Sequence, residues 1–171
     1  MRRILFLSFL SMVFHASADT IATELTTKKT IEKTDIHLVV MGGNDCPPCR
    51  SWKLFELPKL QSTHAFKAIT FSYVQKWIHA AVPDVEDLPV EVKPYKAQLD
   101  KASSRLFGSP QTALIVNGKV YDFYFGTRDA KEVEAMLTSI QTGTPYPFKA
   151  CLKLGRKSAC SKYQDDKQPL N

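Results

Sequence analysis

The chain has few glycines and cysteines, and beyond its first eighteen residues it has no long apolar run. Of its 171 residues, 7 are glycine and 4 are cysteine. Neither a glycine-rich loop that cradles a phosphate nor a nucleophile elbow is present, so the sequence gives no support to nucleotide-binding or serine-hydrolase classes. No internal repeat or low-complexity run occurs. The length and the 44% hydrophobic content fit one globular domain with short extensions.

The first eighteen residues, "MRRILFLSFLSMVFHASA", have the pattern of a secretory signal peptide. Two arginines precede an apolar run from Ile4 to Phe14, and small residues follow at Ala16 and Ala18. The apolar run is shorter than the roughly 20 residues that a bilayer-spanning helix needs. We therefore expect cleavage after Ala18 and a soluble mature protein in the periplasm or otherwise outside the cell.

Positive charge is concentrated at the C-terminus. Residues 19–148 hold fifteen Lys and Arg against fifteen Asp and Glu, whereas residues 149–171 hold six against two. A neutral body with a short basic tail lacks the basic face with interleaved aromatics that is typical of nucleic-acid binding. We expect no nucleic-acid partner, and we interpret 149–171 as a basic C-terminal extension and 19–35 as a polar N-terminal arm.

The body of the chain predicts an α/β fold in the order strand, helix, strand, insertion, helix, strand, strand, helix. The expected elements are a buried strand at 36–43, a helix that begins at Cys46 and is bent or ended by Pro58, a strand at 65–75, a proline-rich insertion, a helix closed by Gly108, a hairpin turning at Asn117-Gly118, and a helix through Val133, Met136, Leu137 and Ile140. Core packing is the simplest role for the side chains of Trp52, Phe55 and Phe71. For Trp77 and Ile78, in the insertion, core packing is favoured and an exposed contact patch for a partner is the alternative. The histidines, His37, His64 and His79, are expected to lie on the surface or to be structural.

Two cysteines separated by two prolines, in "GGNDCPPCRSW", carry the chemistry of the sequence. Such a pair is typical of a redox-active disulfide, of half of a metal site or of a structural disulfide. At positions i and i+3 across the first turn of a helix, Cys46 and Cys49 are close enough to form or open a disulfide without moving the backbone. A prediction of export favours oxidised cysteines, because only a few exported proteins keep a working dithiol.

The layout resembles the thioredoxin fold over residues 36–141, within a predicted thioredoxin-like domain at 36–148. The C-P-P-C segment ends the first core strand and opens a helix, and "GSPQT" follows some sixty residues later, where the family carries a cis-proline loop. The resemblance implies a central mixed sheet of about four strands flanked by helices, with an insertion after the second core strand. It also implies that Cys46 is the exposed attacking thiolate, that Cys49 lies deeper and resolves the mixed disulfide, and that Pro47 and Pro48 form the active-site loop.

The same resemblance implies that Pro110 is cis and that Ser109 offers backbone groups to a substrate chain. Substrates would be cysteine-containing client proteins, and the disulfide between the two cysteines would serve as the redox group, with no other cofactor and no metal. C-P-P-C followed by Arg50 is similar to exported reductases of the TlpA and cytochrome-maturation type, which implies a membrane redox partner that recharges the dithiol.

The residues around the cysteines bear on the direction of electron transfer. Pro47 and Pro48 lack the N–H groups that stabilise a thiolate at a helix start, and Asp45 adds a neighbouring negative charge that Arg50 partly offsets. A less stabilised thiolate means a more stable disulfide, so we expect a reductant. A disulfide-forming oxidase and a non-catalytic thioredoxin-like binding module remain the alternatives.

Three positions depart from the family pattern. Asp45 replaces the aromatic residue before the first cysteine, Val40 replaces the buried acid six positions upstream, and Leu54 stands where a proline is usual. With no carboxylate at position 40, a thioredoxin-like proton relay to Cys49 lacks its usual group.

Cys151 and Cys160 are expected to form a structural disulfide that closes "CLKLGRKSAC" into a loop, which stabilises by about 2–3 kcal/mol on loop-entropy arithmetic. A second redox pair that passes electrons to the first is the alternative. A four-cysteine zinc site is disfavoured, because an eight-residue spacer is unlike the short spacings of structural zinc sites.

Overall fold

Residues 34–152 are described in a computed structural model. They form four strands and five helices, together with short 3₁₀ turns at Val85–Asp87 and Lys93–Tyr95. The strands are β1 (Ile36–Gly42), β2 (Thr70–Gln75), β3 (Gln111–Val116) and β4 (Lys119–Phe125). The helices are α1 (Pro47–Ser51), α2 (Leu57–Ser62), α3 (His64–Lys67), α4 (Lys96–Ser103) and α5 (Ala130–Thr142).

The strands form one mixed sheet in the order β2-β1-β3-β4. Strand β1 pairs parallel with β2 and antiparallel with β3, and β3 pairs antiparallel with β4. The α/β fold with a mixed four-stranded sheet is therefore confirmed, and it has the thioredoxin-like arrangement that the sequence predicts.

Helices cover both faces of the sheet. All seven residues of β1 are buried, which explains their continuous apolar run. One face packs with the helices that follow the cysteines and with α5, through Leu38, Val40, Trp52 and Met136. The other packs with α4 and the insertion, through Val39, Met41 and Leu99.

The helix that begins at the cysteines is longer than expected. It continues to Ser62 because a π-helical segment, Trp52–Glu56, joins α1 to α2. Of the two outcomes predicted at Pro58, a bend or an end of the helix, the end is wrong. A π-helical turn changes the hydrogen-bond spacing just before the proline, where the missing N–H of Pro58 would break a regular α-helical ladder.

The second strand is shorter than the predicted 65–75. Residues His64–Lys67 form α3, and only Thr70–Gln75 extend as β2. The Thr63 hydroxyl accepts a hydrogen bond from the Phe66 N–H at 3.2 Å, so it caps this helix. Thr63 is a residue type that favours the N-cap of a helix, but the alternation of apolar residues after it predicted a strand instead.

Helix α4 ends earlier than Gly108. Ser104 takes the left-handed conformation at φ 53°, and the Arg105 N–H closes the helix on the Asp100 carbonyl at 3.3 Å. Gly108, at φ 129°, lies instead in the loop before Ser109. The predicted hairpin is confirmed, with positive φ angles at Asn117 and Gly118 between β3 and β4.

The insertion after β2 has little regular structure, as predicted, apart from its two 3₁₀ turns. Between residues 34 and 152, none of the helices has the length and apolarity needed to cross a bilayer. The predicted signal peptide, most of the predicted polar arm and Cys160 lie outside the described residues.

Candidate active site

Cys46 and Cys49 form a disulfide at the mouth of α1. Their Cα atoms are 5.2 Å apart. Cys46 is the N-cap residue of α1, and its Sγ accepts a hydrogen bond from the Cys49 N–H at 3.3 Å. Pro47 and Pro48 occupy the first turn, where an N–H would have no intrahelical partner. The pair therefore lies where the sequence predicts it, at the end of β1 and the start of a helix.

The prediction that Cys46 is the exposed cysteine is wrong for the disulfide form. Cys46 has 0% of its surface exposed and Cys49 has 2%. The prolines between them are exposed. Thiol exchange at Cys46 therefore requires a local opening of its surroundings, which sequence spacing alone does not reveal.

The register of the sheet brings the Ser109-Pro110 loop to the same edge as the cysteines. Met41 near the end of β1 pairs with Gln111 at the start of β3, so the loop before β3 lies beside the turn that leads to Cys46. The Ser109-Pro110 peptide bond is cis, Pro110 is buried, and Ser109 is half-buried. The Pro110 carbonyl accepts the Gly126 N–H at 3.0 Å, which ties the loop to the end of β4.

The first residues of the insertion connect the two loops of the site. The Ile78 N–H donates to Asp45 Oδ2 at 2.9 Å, and the Ser109 hydroxyl donates to the Trp77 carbonyl at 3.3 Å. One short segment is thus hydrogen-bonded both to the residue before Cys46 and to the residue before Pro110. The segment is well placed to restrict access to the disulfide.

The buried Lys76 ammonium is hydrogen-bonded to the same segment. Its side chain is buried at 6% exposure, and its Nζ donates to the carbonyls of Ala80 at 2.7 Å, Ala81 at 3.2 Å and Gly108 at 2.8 Å. Burial lowers the pKa of Lys76 to about 8. Gly108 adds a second link to this segment, since its N–H donates to the Ala80 carbonyl at 3.2 Å.

Comparison with known proteins adds little. No family model matches the chain, and no curated protein matches it. Among solved structures, the chain is similar to a thioredoxin-fold protein from Helicobacter pylori, at 18% identity and a TM-score of 0.40 over 64% of this chain and 70% of that one. The fold assignment accordingly rests on the strand order and pairing of this molecule.

The cysteine in the C-terminal extension lies apart from the site. Cys151 is buried and disulfide-bonded. Its N–H donates to Asp122 Oδ1 at 2.8 Å, and its carbonyl accepts the Phe123 N–H at 2.8 Å, so it is fixed against β4. Its expected partner, Cys160, is outside the described residues, and the pairing stays a prediction.

Tyr73 is a site residue that sequence reasoning missed. A Cβ atom built on Gly42 would lie 2.6 Å from Cys49 Sγ and 3.1 Å from the Tyr73 hydroxyl oxygen, so these two atoms border the same small space. Tyr73 pairs with Val40 across β1 and β2. Burial raises the pKa of Tyr73, so the phenol is protonated at neutral pH. The glycine that ends the buried strand β1 was the one available signal of close packing against the disulfide.

Two core predictions are wrong, and the histidine prediction is not contradicted. Trp77 is 75% exposed and Phe55 is 63% exposed, whereas Trp52 is buried and donates from Nε1 to the Arg128 carbonyl at 2.8 Å. His37 is buried, with its Nε2 2.9 Å from the Ser72 hydroxyl, in a structural role on β1. Whether an apolar side chain reaches the core depends on where its element faces, which residue type alone does not show.

Proposed function

We propose that this chain is an exported thiol-disulfide oxidoreductase that reduces disulfides in client proteins. The observation that carries the proposal is the Cys46–Cys49 disulfide at the start of α1, on the same sheet edge as the Ser109-Pro110 loop. A vicinal pair at a helix start exchanges with external thiols through one sulfur while the second stays within reach.

The proposed reaction has two exchange steps. The Cys46 thiolate attacks one sulfur of a client disulfide, a Cys46–client disulfide forms, and the second client sulfur leaves as a thiolate. The Cys49 thiolate then attacks Cys46 Sγ, the internal disulfide forms, and the first client sulfur leaves. Two electrons pass to the client, and its thiolates take their protons from water.

The surroundings of Cys46 support the reducing direction. The Cys49 N–H donates to its sulfur and favours the thiolate, but the two intervening residues are prolines without N–H groups to add to that stabilisation. A weakly stabilised Cys46 thiolate favours the disulfide and hence a strong reductant. A membrane dithiol protein would return the disulfide to the reduced state, in keeping with the resemblance to TlpA-type and cytochrome-maturation reductases.

Equilibration of the cysteine pair with glutathione tests the direction. We expect a reduction potential near that of thioredoxin, about −270 mV, and a value near about −120 mV would make the protein an oxidase instead. A Cys49→Ala variant should trap clients as mixed disulfides through Cys46, and a Cys46→Ala variant is the matched control that should trap none through this route.

A non-catalytic thioredoxin-like module is the second candidate, and the burial of both cysteines favours it. The two candidates differ in reactivity after mild reduction. An oxidoreductase exposes a Cys46 thiol that alkylates readily, whereas a structural disulfide resists reduction and leaves nothing to alkylate.

A further inference from the structure

A groove of about 840 Å³ opens beside the loop that leads to Cys46. Its walls come from the loop just before Cys46, the end of β2, the first part of the insertion, and the loop before Ser109. Its lining residues include Asn44, Asp45, Trp77, Asp84, Asp87 and Phe107. Because Asp45 precedes Cys46 directly, the groove reaches the loop next to Cys46, and a chain lying in it would approach the cysteine pair once the surroundings of Cys46 open.

Two large aromatic side chains of this groove are exposed. Trp77 is 75% exposed and Phe107 is 65% exposed. Exposed aromatic side chains in a concave surface are typical anchors for a polypeptide partner, because they bury a large area with little loss of side-chain entropy. The groove therefore offers two apolar contacts, one from the insertion and one from the loop that leads to the cis-proline.

The charge of the groove is negative. Asp45, Asp84 and Asp87 are exposed carboxylates in its lining. Lys76 also lines it, and its ammonium, bound to three carbonyl oxygens, offsets one of the three negative charges. A negative concave surface attracts cationic side chains and disfavours acidic ones.

We propose that this groove binds an extended stretch of the client polypeptide that carries an apolar residue and Lys or Arg within a few residues of its cysteine. The inference rests on the proposed oxidoreductase function and specifies the class of client. It assigns Trp77 and Phe107 to apolar recognition and the aspartates to charge selection. The chain's own basic tail and a second copy are the other occupants that the test distinguishes.

Calorimetric titration with synthetic peptides tests the groove without relying on the redox reaction. One peptide carries a leucine and two arginines around a serine that replaces the cysteine, and its partner carries two glutamates instead of the arginines. We expect the arginine peptide to bind at least about tenfold more tightly at low salt, with the preference shrinking as salt rises.

Variants assign the effect to named residues. In the double variant Asp84→Asn, Asp87→Asn the preference should fall below about threefold, and Trp77→Ala should weaken both peptides by about tenfold. Asp35→Asn and Leu54→Ala are the matched controls, since they remove an exposed carboxylate at the far end of β1 and an exposed apolar side chain outside the groove. Both should bind as the unmodified protein does.

Equal binding of the two peptides, or an unchanged preference in the double aspartate variant, would overturn the proposal. Tighter peptide binding after replacement of Lys153, Arg156 and Lys157 by glutamine would also overturn it, because the tail would then be the occupant. A dimer that the peptides dissociate, measured by sedimentation, would identify a second copy as the occupant and overturn it as well. Exchange with glutathione is measured on the same preparations: its failure alone counts against the redox function, whereas normal exchange without peptide discrimination counts against the groove.

A second inference comes from Tyr73 and the space beside Cys49. The family position of the buried acid is Val40, and its neighbour across the sheet is Tyr73. Lys53, one turn after Cys49, places its Nζ 4.7 Å from the Tyr73 ring centroid, so the phenol lies beneath the helix that carries the resolving cysteine. The Tyr73 hydroxyl oxygen and Cys49 Sγ face the space that a side chain at position 42 would fill.

We infer that, once the disulfide is reduced, the Tyr73 hydroxyl donates a hydrogen bond to the Cys49 thiolate and so promotes its attack on Cys46. A hydrogen bond to the charged form of a thiol favours that form. The phenol would thus stabilise the Cys49 thiolate by donation, which differs from the proton relay of the carboxylate that position 40 lacks.

The test is the pKa of Cys49, read from thiolate ultraviolet absorbance in a Cys46→Ser background. Tyr73→Phe removes only the hydroxyl and should raise the Cys49 pKa by about one pH unit or more. Tyr121→Phe, at an exposed position on β4, is the control and should leave it unchanged. An identical Cys49 pKa with and without the Tyr73 hydroxyl would overturn the inference, whatever the protein's activity toward clients.

Discussion

Replacing Lys76 by methionine should loosen the segment at 77–81, which is hydrogen-bonded to Asp45 and Ser109. The change keeps the apolar stem and removes the ammonium, which takes this donor from the Ala81 and Gly108 carbonyls and leaves the Ala80 carbonyl with the Gly108 N–H. Hydrogen bonds to a charged group contribute about 1.5–3 kcal/mol each, and the desolvation of the buried ammonium offsets part of that sum. We expect Lys76→Met to lower the free energy of unfolding by about 2–4 kcal/mol at neutral pH.

The pH dependence separates this mechanism from a packing defect. Burial lowers the pKa of Lys76 to about 8 in the fold, against an ordinary value of 10.5. As pH rises through about 8 the native protein releases a proton that the unfolded chain still holds. The unfolded state then binds more protons, so stability from this group increases between about pH 8 and 10.5. Lys76→Met should lack this increase.

Urea denaturation with the disulfides intact, at about pH 7.5 and about pH 9.5, measures both effects on either side of the Lys76 pKa. Lys101→Met, at an exposed position on α4, is the control and should change stability by less than about 0.5 kcal/mol at either pH. A Lys76→Met protein as stable as the unmodified one at the lower pH would refute the reasoning, because it would mean that the cost of burying the ammonium cancels its hydrogen bonds.

Three further predictions concern the site and the sheet. Gly42→Ala should displace the Cys49 sulfur, since the new Cβ would lie 2.6 Å from it. The free energy of unfolding should fall by about 1–3 kcal/mol in urea denaturation, and an unchanged midpoint would contradict this. Ser109→Ala removes the donor to the Trp77 carbonyl and should speed reduction of the disulfide by dithiothreitol about threefold. An equal or slower rate would mean that this hydrogen bond does not limit access to the disulfide. Burial lowers the pKa of His37 below 6.5, so the unfolded chain takes up a proton before the folded protein does as pH falls. The free energy of unfolding should therefore decrease below about pH 6.5, and it should decrease less in His37→Gln. Parallel pH profiles of the two proteins would show that His37 is not responsible.

Much of the fold was predictable because its signals are local. A continuous apolar run predicts β1, since a strand covered on both faces needs no polar side. Asn117-Gly118 predicts the hairpin, since few other residue pairs accept positive φ angles at both positions. The wrong element ends were also local in origin. The Thr63 cap starts a helix where the apolar pattern predicts a strand, and the left-handed Ser104 ends α4 before Gly108.

The sequence by itself determined that Cys46 and Cys49 lie one helical turn apart, because chain connectivity and helix geometry fix neighbours at i and i+3. Only the tertiary structure decided what surrounds them. The burial of Cys46, the exposure of Trp77 and the placement of Tyr73 and Cys49 around one space beside Gly42 depend on contacts between segments far apart in the chain. Such contacts follow from strand register and from where the insertion folds back, and no local pattern of residues encodes either.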